Sequence, residues 1–367
     1  TGCQNTASGY NALFYNTTGC YNTAFGRSAL ETNTTGSYNI SLGVCAGYSN
    51  TTGEDNIAIG YRSYDEASAG CRNVAIGRSA LGGLTSGCNN VALGYAAGFG
   101  ISCANYNTLV GYNAGGVCNL VNKNTGFGYQ VMSSSSGGYN TAVGAHSLCV
   151  ATNTSGKNTA LGHRSMTYTT SGVCNTASGY GSLRCNTTGS NNTASGLEAL
   201  RSNTTANGNT AYGSCTLYAN TSGTGLAALG YRALAANTCG DKNTGLGFNA
   251  LQTNTTGCHN TASGYRALYL NTTGLENTAV GSQVMYSNTT GCRSTALGKQ
   301  TLYSNTTGRL NVAVGVQTLY YNSTGIKNTA SGTYTLHCNT TASNNTAFGY
   351  AALFPNTTGA ENTAVGS

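Results

Sequence analysis

The stretch Asn260–Gly274 reads NTASGYRALYLNTTG, and two residues later the pattern restarts at Asn277. Followed outward, the first asparagine or its substitute returns every 17 residues, forward through 294, 311, 328 and 345 to 362 and back to 158. Positions 124 back to 5 keep the same step, and the irregular steps of 16 and 18 around position 140 sum to two repeats. The frame therefore holds through 22 copies. Numbered from that asparagine, the unit is N-T-A-x-G-x-x-A-L-x-x-N-T-T-G-x-x. Its fifth place is glycine in every copy, from Gly9 and Gly26 to Gly349 and Gly366. The fifteenth is usually glycine, with Ala104, Ala206 and Ala342 among the exceptions.

A unit this short cannot fold as a domain of its own, and its glycines leave no room for a helix between them. The intervening Thr, Val, Ile, Leu and Tyr suit strands. These facts predict an all-β fold, a parallel β-solenoid (β-roll or β-helix) of about 21 coils with a 17-residue repeat, continuous over residues 1–367. Helical repeats compete, but they need longer units and fewer glycines.

Within the coil, the ninth place is a core row: Leu13, Leu30, Leu81, Leu148, Leu183, Leu217, Leu251 and Leu268, with Met132, Met166 and Met285. The fourth place is mostly apolar (Phe25, Leu42, Ile59, Ile76, Leu93, Val110, Val143, Leu161, Val280, Leu297, Phe348) and is expected inside too, because one leucine per coil is a thin core. Period-two alternation then sends the small residues of the third and eighth places outward. Their size reads either as the close approach of another chain or as crowding at the corners. Asparagines at places one and twelve are expected to stack as amide ladders.

Places six and ten are expected at the surface. The sixth carries Tyr10, Tyr61, Tyr95, Tyr112, Tyr129, Tyr180, Tyr231, Tyr265 and Tyr350, and the tenth carries Tyr48, Tyr218, Tyr269, Tyr286, Tyr303 and Tyr320. Such rows suit stacking on sugars or gluing fibres together, so the sixth-place tyrosines are the candidate ligand-facing aromatics. They also suit a pleated surface with no ligand at all. Coils about 39–123 depart from the pattern, with glycine at place nine (Gly47, Gly98, Gly115) and no asparagine at place twelve (Ile101, Cys118). Glu54, Asp55, Asp65 and Glu66 fall there as well. The departure reads as a specialised surface or as drift, and drift is the simpler.

Only 7% of residues are charged, and 9 are acidic and 4 histidine, which leaves little material for catalysis. No serine elbow stands beside a base, so the sequence reads as no enzyme. No cofactor motif is present. His146 and His163 lie in neighbouring coils, but no third ligand recurs and a metal site is not expected. The net charge of +7 is spread without a dense patch, which gives no support for nucleic acid. No long apolar run is present to span a membrane as a helix. Of the 15 cysteines, Cys3 with Cys20 and Cys71 with Cys88 share place sixteen in adjacent coils. Stacked coils would bring each pair within disulfide range, which favours an oxidising compartment. The N-T-T sequons from Asn16, Asn33 and Asn50 to Asn305 and Asn356 reuse the corner asparagine, so they read mainly as by-products of the repeat.

The unit as it stands in Asn5–Gly19 and Asn260–Gly274 resembles the head and shaft repeats of trimeric autotransporter adhesins and of chaperone-containing phage or viral tail fibres. That resemblance implies a left-handed parallel β-roll, a homotrimer, and attachment at a cell or virion surface. The many cysteines depart from it. The expected function is a structural extracellular fibre or filament whose partner is itself, as a segment of a longer fibre or as a self-assembling filament. Two alternatives are an adhesin that binds surface glycans through its tyrosines and an ice-binding protein. For ice binding, Thr6, Thr23, Thr108, Thr261 and Thr278 make one file, broken by Ile40, Ile57, Val74 and Val91.

Overall fold

In the computed structural model, residues 2–116, 120–150 and 156–366 are described, and Cys118 lies outside them. The chain is an all-β parallel solenoid of about 21 turns at 17-residue spacing, with no helix among the described residues. It divides into two compact units, Thr1–Thr188 and Gly189–Ser367. Each coil contributes one three-residue strand from places two to four. These run from β1 (Thr6–Ser8) to β11 (Thr176–Ser178) in the first unit and from β12 (Thr193–Ser195) to β22 (Thr363–Val365) in the second.

Within each unit, consecutive strands pair in parallel with like places opposed, as Thr23 with Ile40, Ala24 with Ser41 and Phe25 with Leu42. The irregular steps do not break this register. Thr141 faces Thr125 on one side and Thr159 on the other.

The remainder of each coil turns tightly, because places seven, nine and seventeen take a left-handed backbone. In the coil from Asn260 these are Arg266 (φ 52°), Leu268 (φ 49°) and Glu276 (φ 57°). Each such residue costs about 1–2 kcal/mol. The cost is offset because their N–H groups reach adjoining coils, Arg266 to Phe248 O at 2.9 Å and Leu268 to Val284 O at 2.9 Å. The fifth-place glycine is obligatory for two reasons. At Gly26 φ is 133°, and a Cβ there would stand 2.5 Å from Gly43 O.

The strand faces are opposite to the sequence expectation. The third and eighth places point inward, with Ala24, Ala29, Ala58, Ala75, Ala279 and Ala296 at no more than 1% exposure. The fourth place points outward, and Phe25 is 62% exposed, Leu161 39% and Val280 40%. The reason is volume. With leucine in a left-handed turn at place nine, the coil is so thin that the third-place residue abuts that leucine. At Gly245, in the third place, a Cβ would lie 3.3 Å from Leu234 Cγ. A methyl group fits there and a larger branch does not. Leu13, Ala24, Ala29 and Leu30 form one cluster of this leucine–alanine core.

The asparagine ladders flank the core and are buried. Place-one asparagines donate from the main chain, and in many coils from the side chain as well, to Oδ1 of the preceding coil's asparagine, as Asn56 does to Asn39 at 3.0 and 3.1 Å. Its Nδ2 also holds the place-fifteen carbonyl of its own coil, Gly70 O, at 2.8 Å. Place-twelve asparagines form a second ladder, with Asn271 Nδ2 donating to Asn254 Oδ1 at 2.7 Å and to Gly274 O at 3.0 Å. Buried polar groups need such partners. The sequon asparagines Asn33, Asn50, Asn186, Asn254, Asn271, Asn288 and Asn305 are all buried in this way.

The divergent coils change the interior by compensation. Gly98 replaces leucine at place nine, Ile101 replaces asparagine at place twelve, and a Cβ on Gly98 would sit 3.5 Å from Ile101 Cδ1. Two coils earlier, Tyr64 fills place nine while Ala67 takes place twelve. The Tyr64 phenol then stands in for the missing amide and accepts from Asn73 Nδ2 at 3.0 Å.

Candidate functional site

In the second unit places six, seven, ten and eleven of neighbouring coils line a shallow groove, with Tyr231 and Arg232 on one side and Tyr218, Ala235 and Gln252 on the other. Arg266 ties places six and ten together, its guanidinium 5.1 Å from the Tyr265 ring centre and 5.4 Å from that of Tyr269.

All nine candidate tyrosines of place six are exposed, from Tyr265 at 44% to Tyr10 at 75%. Most are stacked on neighbours along the axis. In the first unit Arg78 bridges Tyr61 and Tyr95 at 5.3 and 5.8 Å, and Tyr95, Tyr112 and Tyr129 follow with centres 5.1 and 5.3 Å apart. The row continues through His146 and His163 to Tyr180. The two histidine rings do approach, at 6.1 Å and edge-on, and burial, followed by the positive charge of Arg164, pushes the His163 pKa down. In the second unit Tyr231, Phe248 and Tyr265 stack at 5.3 and 5.7 Å. Tyr350 meets Tyr334 edge-on at 6.1 Å.

The longest regular ladder lies in place ten. Tyr269, Tyr286, Tyr303 and Tyr320 stack nearly parallel at 5.0–5.1 Å. His337 and Phe354 extend the ladder at 5.3 and 4.9 Å. Burial lowers the His337 pKa and so keeps this imidazole neutral between two rings. The sequence carries the signal for this stacking, since six aromatic rings stand at an unbroken spacing of 17. Tyrosine rows viewed as sugar platforms overlook it, because a stacked ring has its faces covered by the next ring and offers mainly its edge.

The proposed thiol pairs are juxtaposed as free cysteines. Cys3 Sγ lies 2.8 Å from Cys20 Sγ, and Cys71 Sγ lies 2.7 Å from Cys88 Sγ. Cys20 accepts hydrogen bonds from the Cys3 thiol and from the Cys3 main-chain N–H at 3.2 Å, which lowers its pKa, while the shared hydrogen bond raises that of Cys3. In the second pair burial pushes the Cys88 thiol up. Elsewhere Cys149 Sγ stands 3.9 Å from His146 Nδ1, too long for an activated cysteine–histidine pair.

Among the described residues no cluster of three or more His, Cys, Asp or Glu side chains is placed to hold a metal ion. Among the described residues no helix is long and apolar enough to cross a membrane. No protein-family model matches the chain, and no curated protein matches it in sequence.

Proposed function

We propose that the protein is a structural, non-catalytic fibre component of an extracellular or surface assembly, in which copies associate side by side through the outward face of the strands. The observation that carries this reading is the fourth-place file. In the first unit it leaves Phe25, Ile76, Leu93, Phe127, Val143 and Leu161 between 36% and 62% exposed on one face of the parallel sheet. In the second unit Leu229, Leu246, Val280, Leu297 and Phe348 repeat the file. An apolar stripe at the spacing of a β-sheet, interrupted by Ser178 in the first unit and by Ser195, Ser263 and Ser331 in the second, is unfavourable in water, and a second identical stripe is its natural cover. The threonines of place two, beside it, supply a polar margin.

A mechanical role draws further support from the axial bonding. In regular coils such as those from Asn260 and Asn277 the strand, both amide ladders and threonine hydroxyls such as Thr272 Oγ1 to Thr289 O at 3.0 Å tie one coil to the next. The close thiol pairs suit an oxidising compartment. A glycan-binding adhesin has less support, because stacking covers most tyrosine faces. Ice binding has less still, because the outward strand face pairs its threonine file with an apolar one.

The test is sedimentation equilibrium of the chain against Leu161→Lys together with Val280→Lys. Self-association that falls at least tenfold in the double variant, with an unchanged circular dichroism spectrum, supports the reading. A wild-type chain that stays monomeric at every concentration sinks it.

A further inference from the structure

We propose that the first unit holds a binding site for one tetrahedral oxyanion, a phosphate or sulfate group, in the groove lined by Arg164 and Arg184. Grooves built from places seven and ten form around Arg62, Arg164 and Arg232, each an arginine at place seven. The first two hold a carboxylate of their own chain. Asp65, at place ten, pairs with Arg62 Nε at 2.6 Å, and Glu198 lines the groove of Arg232. The groove of Arg164 is a space of about 200 Å³ lined also by His146, Cys149, Val150, Thr167, Tyr168 and Arg184. No acidic side chain lines it, and it adds a second arginine and a histidine to the first.

A second, independent observation is that this part of the chain has no counter-charge to offer. From residue 67 to residue 197 the sequence contains no Asp or Glu, while Arg72, Arg78, Lys123, Lys157, Arg164 and Arg184 fall within that stretch. Elsewhere Arg62, Arg201 and Arg293 pair with Asp65, Glu198 and Glu276. Among the described residues the half-buried Arg164 guanidinium has neither an ion pair nor a hydrogen bond. Arg184 lies over the Tyr168 ring, 5.8 Å from its centre, with no carboxylate partner. The uncompensated charge is felt next door, where burial first, and then Arg164, His146 and Arg184, hold the His163 pKa down. A guanidinium presents paired N–H donors that match two oxygens of a phosphate or sulfate. A tetrahedral dianion can serve two guanidiniums in that way. A carboxylate, with two oxygens and one charge, serves one and leaves the second unneutralised. The site lies in the groove and not on the strand face, so it stands apart from the association proposed above.

The experiment titrates the full chain with inorganic phosphate, sulfate and methyl phosphate by isothermal calorimetry at fixed ionic strength, with acetate and nitrate as singly charged comparisons. Phosphate or sulfate should bind saturably and at least about tenfold tighter than acetate or nitrate. Arg164→Gln and Arg184→Gln should each weaken that binding at least about tenfold with an unchanged circular dichroism spectrum, and Arg164→Lys should recover only part of it. The decisive variant is Thr167→Asp. Thr167 follows Arg164 at place ten as Asp65 follows Arg62, and the two are nearly equally buried, at 6% and 7% exposure. The introduced carboxylate should fill the groove from within and weaken anion binding at least about tenfold. Undiminished binding to Thr167→Asp, or to both glutamine variants, overturns the proposal, as does a chain that binds neither dianion better than acetate. Methyl phosphate separates the sources. Binding as tight as that of inorganic phosphate identifies a group carried on an ester, and binding at least about tenfold weaker identifies the free ion.

Discussion

Asn260 and Asn243 share a single oxygen. Asn243 Oδ1 accepts the main-chain N–H of Asn260 at 2.9 Å and its side-chain amide at 3.2 Å. Asn260 then offers its own Oδ1 to Asn277 in the same way, at 3.0 and 3.2 Å. A carboxamide is the only side chain of this size that both accepts from one neighbouring coil and donates to the other.

Asn260→Ala leaves the Asn277 main-chain N–H and the Gly274 carbonyl buried without these partners and should destabilise the second unit by about 2 kcal/mol or more, from two unsatisfied groups at about 1–3 kcal/mol each. Asn260→Asp keeps the acceptor but sets a buried carboxylate against Gly274 O, which now lacks its donor at 2.8 Å. The introduced carboxyl can donate only when protonated, so its folded pKa lies above its unfolded value. Stability should therefore be greatest below about pH 4 and fall as pH rises. Urea midpoints for the two variants across pH check both statements, and a pH-independent Asn260→Asp would contradict the ladder.

The two sides of one strand should respond oppositely to substitution. Ala279 is fully buried, and Ala279→Leu should cost at least about 1–3 kcal/mol through overpacking. Its neighbour Val280 is 40% exposed, so Val280→Ser should change stability by no more than about 0.5 kcal/mol. Thermal unfolding of the two variants decides it, and a larger loss for Val280→Ser would reverse the assignment of faces.

Oxidised glutathione should convert the two close thiol pairs into intrachain disulfides. The Cys20 thiolate, favoured by its lowered pKa, attacks a glutathione sulfur and expels glutathione thiolate. The Cys3 thiolate then attacks the Cys20 sulfur of the mixed disulfide, expels the second glutathione, and leaves a Cys3–Cys20 bond. Peptide mapping without reductant should find Cys3–Cys20 and Cys71–Cys88 linked, each bridge raising stability by about 3 kcal/mol for a loop of this length. Pairings other than these would count against the stacked-coil register at place sixteen.

Tyr64 is 1% exposed, and burial pushes its phenol far above the usual range. The unfolded chain ionises first, near pH ~10, so the contribution of Tyr64 is complete below that pH and is lost as pH rises toward the folded value. Tyrosinate absorbance in wild type, compared with Tyr64→Phe, should show no titration of this residue before the fold opens. Tyr64→Phe should cost about 1 kcal/mol, the worth of the hydrogen bond from Asn73.

The sequence by itself determined the repeat, the parallel stacking, the leucine row at place nine and the amide ladders, because each is a strict periodicity with one physical use. Gly26 and its equivalents announced a backbone that no side chain tolerates. The identical spacing of Cys3 with Cys20 and of Cys71 with Cys88 announced their contact. Only the tertiary structure decided which side of the strand faces in. A strand of three residues has too little alternation to set its own parity, and hydrophobicity alone would bury Val280 rather than Ala279. What settles it is the left-handed turn at residues such as Arg266 and Leu268, which brings the leucine so close to the sheet that only a methyl fits between them.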